Sequence, residues 1–196
     1  MLAPTQVHGA GILVAGSAAP PGTRAWTVAG TGPPVEGDAV VVAGGSDAAA
    51  VIVADCGALA LASPQGIRAA VHVGWRGLMA GIVEAAVAVM DDLGAGPVMA
   101  GLGPCIHACC YEFSPAGVAD VVERYGPEAA GWTSEGSAAL DLPGAIAAAL
   151  RRVGAPLVMD ADTCTGCGPG WFSHRRRADT ARQALVVWAD APDDDR

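Results

Sequence analysis

The 196-residue chain contains no lysine, so all 11 of its basic residues are arginine. That excludes a Schiff-base lysine and the phosphate-binding lysine of a Walker-type loop. Acidic residues number 20, for a net charge of −9. An acidic, lysine-free surface argues against nucleic acid as a partner. Histidine is scarce, so any imidazole chemistry must draw on His8, His72, His107 and His174. No stretch approaches about 18 strongly apolar residues free of turn formers, so no membrane span is expected. The first 23 residues carry no charged side chain. They also lack a basic leader, and the apolar run Gly11–Ala15 is short, which argues against a secretory signal. Six cysteines are too few for a disulfide scaffold at this length. Cys105, Cys109, Cys110, Cys164 and Cys167 cluster and Cys56 stands apart. That pattern fits site chemistry, or buried thiols in a reducing compartment, and the expected location is cytoplasmic.

What is present is 52% hydrophobic and only 16% charged, the composition of a folded globular protein. Length predicts a single domain over 1–189 with an acidic tail over 190–196. Short apolar runs bounded by Gly, Pro or Ser predict strands at Gly11–Ala15, Ala25–Ala29, Ala39–Ala43, Ala49–Ala54, Ala58–Ala62, Ile67–Val73, Pro97–Gly101 and Leu157–Asp160. Periodicity and caps predict a helix over Met79–Leu93 that stops at Gly94, and a second capped by Ser114 with Pro115 at its first position. Asp141 opens a third helix that closes at Gly154, and Asp179–Trp188 reads as a last helix. Gly30–Gly37 and Gly131–Gly136 read as loops. The alternation predicts an α/β (α+β) fold around a mixed β-sheet, with the strand order left open.

Five of the nine aromatic residues, Trp75, Tyr111, Phe113, Trp171 and Phe172, lie in Gly-rich or polar segments. They fit a pocket wall or the plugging of a small-residue core equally well. Cys56 follows a strand in Ala54-Asp55-Cys56, where a lone cysteine is more often a small buried hydrophobe than a ligand. His72 ends a strand in Val71-His72-Val73-Gly74-Trp75-Arg76-Gly77, where the glycines permit close backbone approach and Arg76 suits an anion. His8 sits in the polar turn Gln6-Val7-His8-Gly9. Spacing alone does not make a metal site of three such distant residues. Glu112, beside Cys110-Tyr111, is a candidate general acid or base, or simply a carboxylate near a helix start. Cys164-Thr165-Gly166-Cys167 is a Cys-x-x-Cys pair, but Gly-Pro-Gly follows it and no second such pair completes four thiolates. Arg175, Arg176, Arg177 and Arg182 fall within eight positions, which favours an anionic substrate over a merely solvated basic face.

Together these motifs resemble the bacterial multicopper polyphenol oxidoreductase, or laccase-domain, family, whose members include purine-nucleoside enzymes and a peptidoglycan editing factor. The resemblance rests on Gln6-Val7-His8-Gly9, Gly37-Asp38-Ala39, Ala54-Asp55-Cys56, Ala70 to Gly77, Gly103-Pro104-Cys105-Ile106 with Cys110-Tyr111-Glu112, and Phe172 to Arg176 with Arg182-Gln183. It implies a layered α/β/β/α arrangement like the catalytic domain of deamidating cytotoxic necrotizing factor toxins. It also implies a zinc ion on His8, Cys56 and His72, three ligands that leave one position open, as catalytic zinc sites do. The implied activities are phosphorolysis of adenosine, inosine, guanosine and methylthioadenosine, and hydrolytic deamination of adenosine. The implied partners are a purine nucleoside and phosphate, with neither nucleic acid nor membrane, in a monomer or homodimer.

In roles assigned on that basis, Arg76, Glu112 and Arg175 are catalytic. Arg76 and the Arg175/Arg176 pair hold phosphate, Trp75, Tyr111 or Phe172 stacks on the base, and Ser173 joins the substrate wall. Four histidines with no His-x-His cannot build a blue multicopper cluster. Cu2+ at the same site, and phenol oxidation by it, would be a side activity. A metal-free Cys56–His72 hydrolase, a peptidoglycan-precursor amidase and a non-enzymatic binder are the competing readings. This chain also departs from the family pattern. Only five residues precede Gln6, Ala58 replaces a usual proline, and Ala178 and Ala181 replace two glycines beside the arginine run.

Overall fold

The computed structural model describes residues 1–16, 35–45 and 47–189. Six strands form one sheet in the order β1-β2-β5-β4-β6-β9: β1 Ile12–Ala15, β2 Ala39–Val42, β5 Arg68–Val73, β4 Gly57–Ala62, β6 Met99–Leu102 and β9 Leu157–Asp160. The outer pairs β1/β2 and β6/β9 are parallel and the inner three pairings are antiparallel. The sheet is therefore mixed, as expected. β3 (Ala49–Val53) pairs antiparallel with β10 (Gln183–Val187) as a separate two-stranded sheet.

Strand residues alternate faces, and here both faces are buried. Ala39, Val41, Leu59, Leu61, Ala69, Val71 and Val73 join a large core with the helices α2 (Ile82–Asp92), α3 (Pro115–Tyr125) and α4 (Leu142–Arg152). Val40, Val42 and Ala70 point the other way and meet Leu2, Leu13, Val51, Leu185 and Val187 in a second core under the β3/β10 pair. Helices, sheet and sheet thus stack as layers. The same alternation sends His72 away from the helices, on the face of Ala70. Because both faces are covered, the strands read as continuous apolar runs, which is why the sequence locates them.

Three expectations are corrected. The helix expected over Met79–Leu93 starts later, as α2, because Gly81 turns the chain at φ 85° just before it, and a short helix α1 (Trp75–Met79) that was not expected precedes it. The helix expected over Asp179–Trp188 is the strand β10, where Gln183, Leu185 and Val187 lie opposite Val53, Val51 and Ala49. The stretch has no strong propensity either way, and tertiary pairing with an otherwise open strand edge decides for strand. The loop expected over Gly131–Gly136 is corrected only at its start: Gly131 and Trp132 belong to β7 (Ala130–Trp132), which pairs with β8 (Ala138–Leu140), and Thr133 to Gly136 form the connecting turn. α3 and α4 start and stop where their caps predict, with Ser114 and Asp141 accepting from the Gly117 and Gly144 N–H groups. The expected strand Ala25–Ala29, most of the loop from Gly30 and the tail 190–196 lie outside the described residues. Among the described residues no helix is long and apolar enough to cross a membrane.

Candidate functional site

Three chain segments end at one point. β5 carries His72 next to its end, the turn between β3 and β4 carries Cys56, and the segment before β1 carries His8. One ligand atom from each lies within 4.8 Å of the others. His72 is buried, Cys56 half-buried and His8 exposed, so the group faces solvent on the His8 side. The two imidazoles meet edge to face, 4.7 Å between centroids.

A buried carboxylate aligns both rings. Asp38, fully buried just before β2, accepts from His72 Nδ1 at 2.8 Å and from the His8 backbone N–H at 2.9 Å through Oδ1. Its Oδ2 accepts from the Gly9 N–H at 2.7 Å. A carboxylate only accepts, so Nδ1 of His72 carries the hydrogen and its Nε2 lone pair is left for a cation. Burial lowers the His72 pKa and outweighs the Asp38 hydrogen bond, which keeps the ring neutral, the form that ligates. Gln6 clasps the β3 backbone at Ile52, through 2.8 Å bonds in both directions, and so fixes the turn that carries His8.

Close approach needs the motif glycines. A Cβ at Gly74 would lie 2.9 Å from His8 Cδ2 and 3.2 Å from Cys56 Sγ. At Gly77 it would lie 2.8 Å from the Gly9 carbonyl oxygen. Asp55 stands at φ 85°, unusual for a residue with a side chain. Its carboxylate accepts from Thr165 Oγ1 and from the Arg175 N–H, each at 2.7 Å. The turn that aims Cys56 is thereby tied to the arginine-rich segment. Burial, then Asp55 and Asp38, push the Cys56 thiol up to about 12. A cation bound beside it would favour the thiolate. Two imidazoles and a thiolate, with a carboxylate behind one ring and a glycine-cleared space between them, fit a zinc ion with one position open. The donors alone do not distinguish zinc from another thiophilic cation.

Beside the triad runs a chain of edge-to-face rings. Trp75 meets Phe113 at 5.3 Å and Phe113 meets Tyr111 at 5.6 Å. Arg76 lies over Trp75 at one end and Arg175 over Tyr111 at the other, each guanidinium 4.8 Å from the ring centroid. An open cleft of about 700 Å³ lies next to this chain, with Glu112, Phe113, Ser114, Arg175 and Arg176 among its walls. The triad itself is not part of that wall. Glu112 is exposed there, and its carbonyl accepts from Arg175 at 3.2 Å.

Two residues expected to contact substrate occupy other places. Tyr111 is only 8% exposed and props Arg175, so it offers no platform for a base. Ser173 is fully buried, and its Oγ accepts from the Arg176 N–H to cap the short helix α5 (His174–Arg177). Phe172 is 41% exposed, with its backbone clasped by the Gln183 side chain. The parts played by Asp38, Asp55 and Gln6 are absent from the sequence reading. The available signal was a charged residue abutting an apolar strand, at Asp38-Ala39 and Val53-Ala54-Asp55. The Cys-x-x-Cys pair has unexpected company, because Cys109 and Cys110 stand beside Cys164 and Cys167.

Residues 1–190 match the family described as multi-copper polyphenol oxidoreductase laccase. The chain is 39% identical over 188 residues to a purine nucleoside phosphorylase of Streptomyces coelicolor, covering 94% of this chain and 73% of that one. It is 40% identical over 156 residues to a purine nucleoside phosphorylase of Mycobacterium tuberculosis, covering 78% of this chain and 62% of the relative. Among solved structures, it superposes on the YlmD protein of Geobacillus stearothermophilus with TM-score 0.78 at 28% identity, covering 95% of this chain and 72% of that one. A Neisseria meningitidis protein gives TM-score 0.77 at 27% identity, covering 96% and 74%.

Proposed function

The chain belongs to the multi-copper polyphenol oxidoreductase laccase family, and we propose that it is a zinc-dependent purine nucleoside phosphorylase that also deaminates adenosine. Its substrates are adenosine, inosine, guanosine and methylthioadenosine, and its setting is cytoplasmic. The observation that carries this reading is the convergence of His8, Cys56 and His72 with Asp38 behind them, beside two ring-backed arginines. The names of the relatives support the substrate class.

In phosphorolysis, phosphate attacks the ribose C1′, the glycosidic bond breaks, and free base and ribose 1-phosphate leave. Arg175 and Arg176 face the cleft and hold the phosphate, and Arg175 is braced from below by Tyr111 and through its backbone by Asp55. Arg76, on the other end of the ring chain, adds a second positive group. Glu112 moves a proton to or from the purine. Phe172, exposed on the neighbouring segment, stacks on the base. A metal held by the triad supplies Lewis acidity for the deamination, in which water replaces the exocyclic amine and ammonia leaves. Copper at the same ligands gives phenol oxidation as a side activity at most.

One observation favours a second reading. Asp38, His72 and Cys56 are arranged in the order of an acid–base–nucleophile triad. Against it stand the third ligand His8 and a thiol pushed up to about 12 with no cation to lower it. The deciding experiment measures bound metal and adenosine turnover with and without phosphate. Adenine release that requires phosphate, inosine release that does not, and loss of both in Cys56→Ser and His72→Ala together with metal are expected. Arg175→Ala should lower the phosphate-dependent rate about 100-fold while sparing inosine formation. Full activity in a metal-free chain would establish the cysteine hydrolase instead.

A further inference from the structure

We propose that Cys109, Cys110, Cys164 and Cys167 bind a second zinc ion in a closed four-thiolate site that staples the segment after β6 to the segment after β9. Sequence spacing hides this group, because one half is a Cys-x-x-Cys and the other a vicinal pair more than fifty residues earlier. The fold joins them. Sγ of Cys109 lies 3.3 Å from that of Cys167, 3.7 Å from Cys164 and 3.9 Å from Cys110, and Cys110 lies 3.5 Å from Cys167. All four sulfurs fall within 4.8 Å of one another. Zinc bound to four sulfurs at about 2.3 Å gives a tetrahedron with edges of about 3.8 Å. The four measured separations straddle that edge. Two disulfides would instead draw the sulfurs into two bonded pairs of about 2.05 Å each, whereas here Cys109 has three near neighbours and all four thiols are free.

The surroundings suit a thiolate cluster. The two segments are already zipped by backbone: Cys105 N–H donates to the Thr163 carbonyl at 3.2 Å, and Thr165 N–H to the Cys105 carbonyl at 3.0 Å. The His107 N–H points at Cys164 Sγ at 3.4 Å. Four thiols release four protons on binding Zn2+, leaving two net negative charges. The Arg177 guanidinium, which donates to the Thr165 and Gly166 carbonyls at 3.0 and 3.3 Å, is placed to offset them. Gly166 permits the approach, since a Cβ there would lie 2.8 Å from Cys110 Cβ and 2.9 Å from its Sγ. Four sulfurs complete the shell, so this ion has no open position and is structural. It would hold Tyr111, next to Cys110, against the segment that brings Arg175 over its ring.

Metal counting on the purified chain, its single variants and a cobalt-substituted form tests the proposal. Two zinc per chain are expected, falling to one in Cys167→Ser, whose side chain is exposed, and to one in Cys56→Ser. The His72→Ala chain reconstituted with Co2+ should show strong near-ultraviolet thiolate-to-cobalt absorption, lost when Cys109→Ser is added. One zinc that persists in Cys167→Ser but not in Cys56→Ser overturns the four-thiolate site and leaves the proposed function intact. One zinc that persists in Cys56→Ser but not in Cys167→Ser supports it and removes the metal from the proposed active site. A disulfide among the four, or all four thiols reacting at once with a thiol reagent in the zinc-loaded protein, also overturns it.

Discussion

Both oxygens of Asp38 are engaged, one by the His72 ring and the His8 backbone and the other by Gly9. Asp38→Asn places an N–H donor against one of these donors. Outer-shell losses of this kind cost about 10- to 100-fold in metal affinity, so a chelator competition titration is expected to read a weakening in that range. Unfolding free energy should fall by about 1–3 kcal/mol, the penalty for a buried donor left without a partner. Ala178 marks a second position where one side chain decides the local energetics. It caps α5 at φ 54°, in the left-handed region that favours glycine. Ala178→Gly should raise stability by about 1 kcal/mol, read from denaturant unfolding. His8, Cys56 and His72 were legible at this scale through the family motifs that carry them. Asp38 and Asp55 stand in those motifs as charges abutting apolar strands, but what each of them holds was not legible, because their partners are backbone N–H groups and residues remote in sequence.

Among the elements, α3 and α4 were legible because Ser114-Pro115 and Asp141 write their starts in side-chain chemistry. β10 was not. Its alanine and valine content is neutral between helix and strand, and the open edge of β3 decides the outcome. The break between α1 and α2 turns on the left-handed conformation of Gly81, and five residues are too few for α1 to show a period of its own. α1 also has a task that propensity does not disclose. Its Gly77 leaves room for the Gly9 carbonyl, the residue after His8. Gly77→Ala improves helix propensity yet forces that backbone outward. Metal stoichiometry at the His8, Cys56 and His72 site is expected to fall while the far-ultraviolet circular dichroism spectrum stays the same. Retained stoichiometry would show that the turn relaxes without moving His8.

Across the whole molecule, the apolar runs announced a sheet covered on both faces, but strand order needed the fold, since three inner antiparallel contacts and two outer parallel ones leave the same one-dimensional pattern. The two cores have different characters. The larger joins three helices to the sheet, and the smaller is a thin layer of Leu2, Leu13, Val40, Val42 and their neighbours under β3 and β10. Of the triad, His72 lies on the central strand β5 and Cys56 on the turn that leads from β3 into β4. The third rides on residues 2–9, tied down by Leu2, the Gln6 clasp and Asp38. That asymmetry sets a kinetic hierarchy. Residues 6–9 lie outside the strand ladders, so amide hydrogens of His8 and Gly9 should exchange by a local opening while those of Val71 and His72 wait for global unfolding. Cation loading should slow the first class selectively, making this segment the latch through which an ion enters and departs.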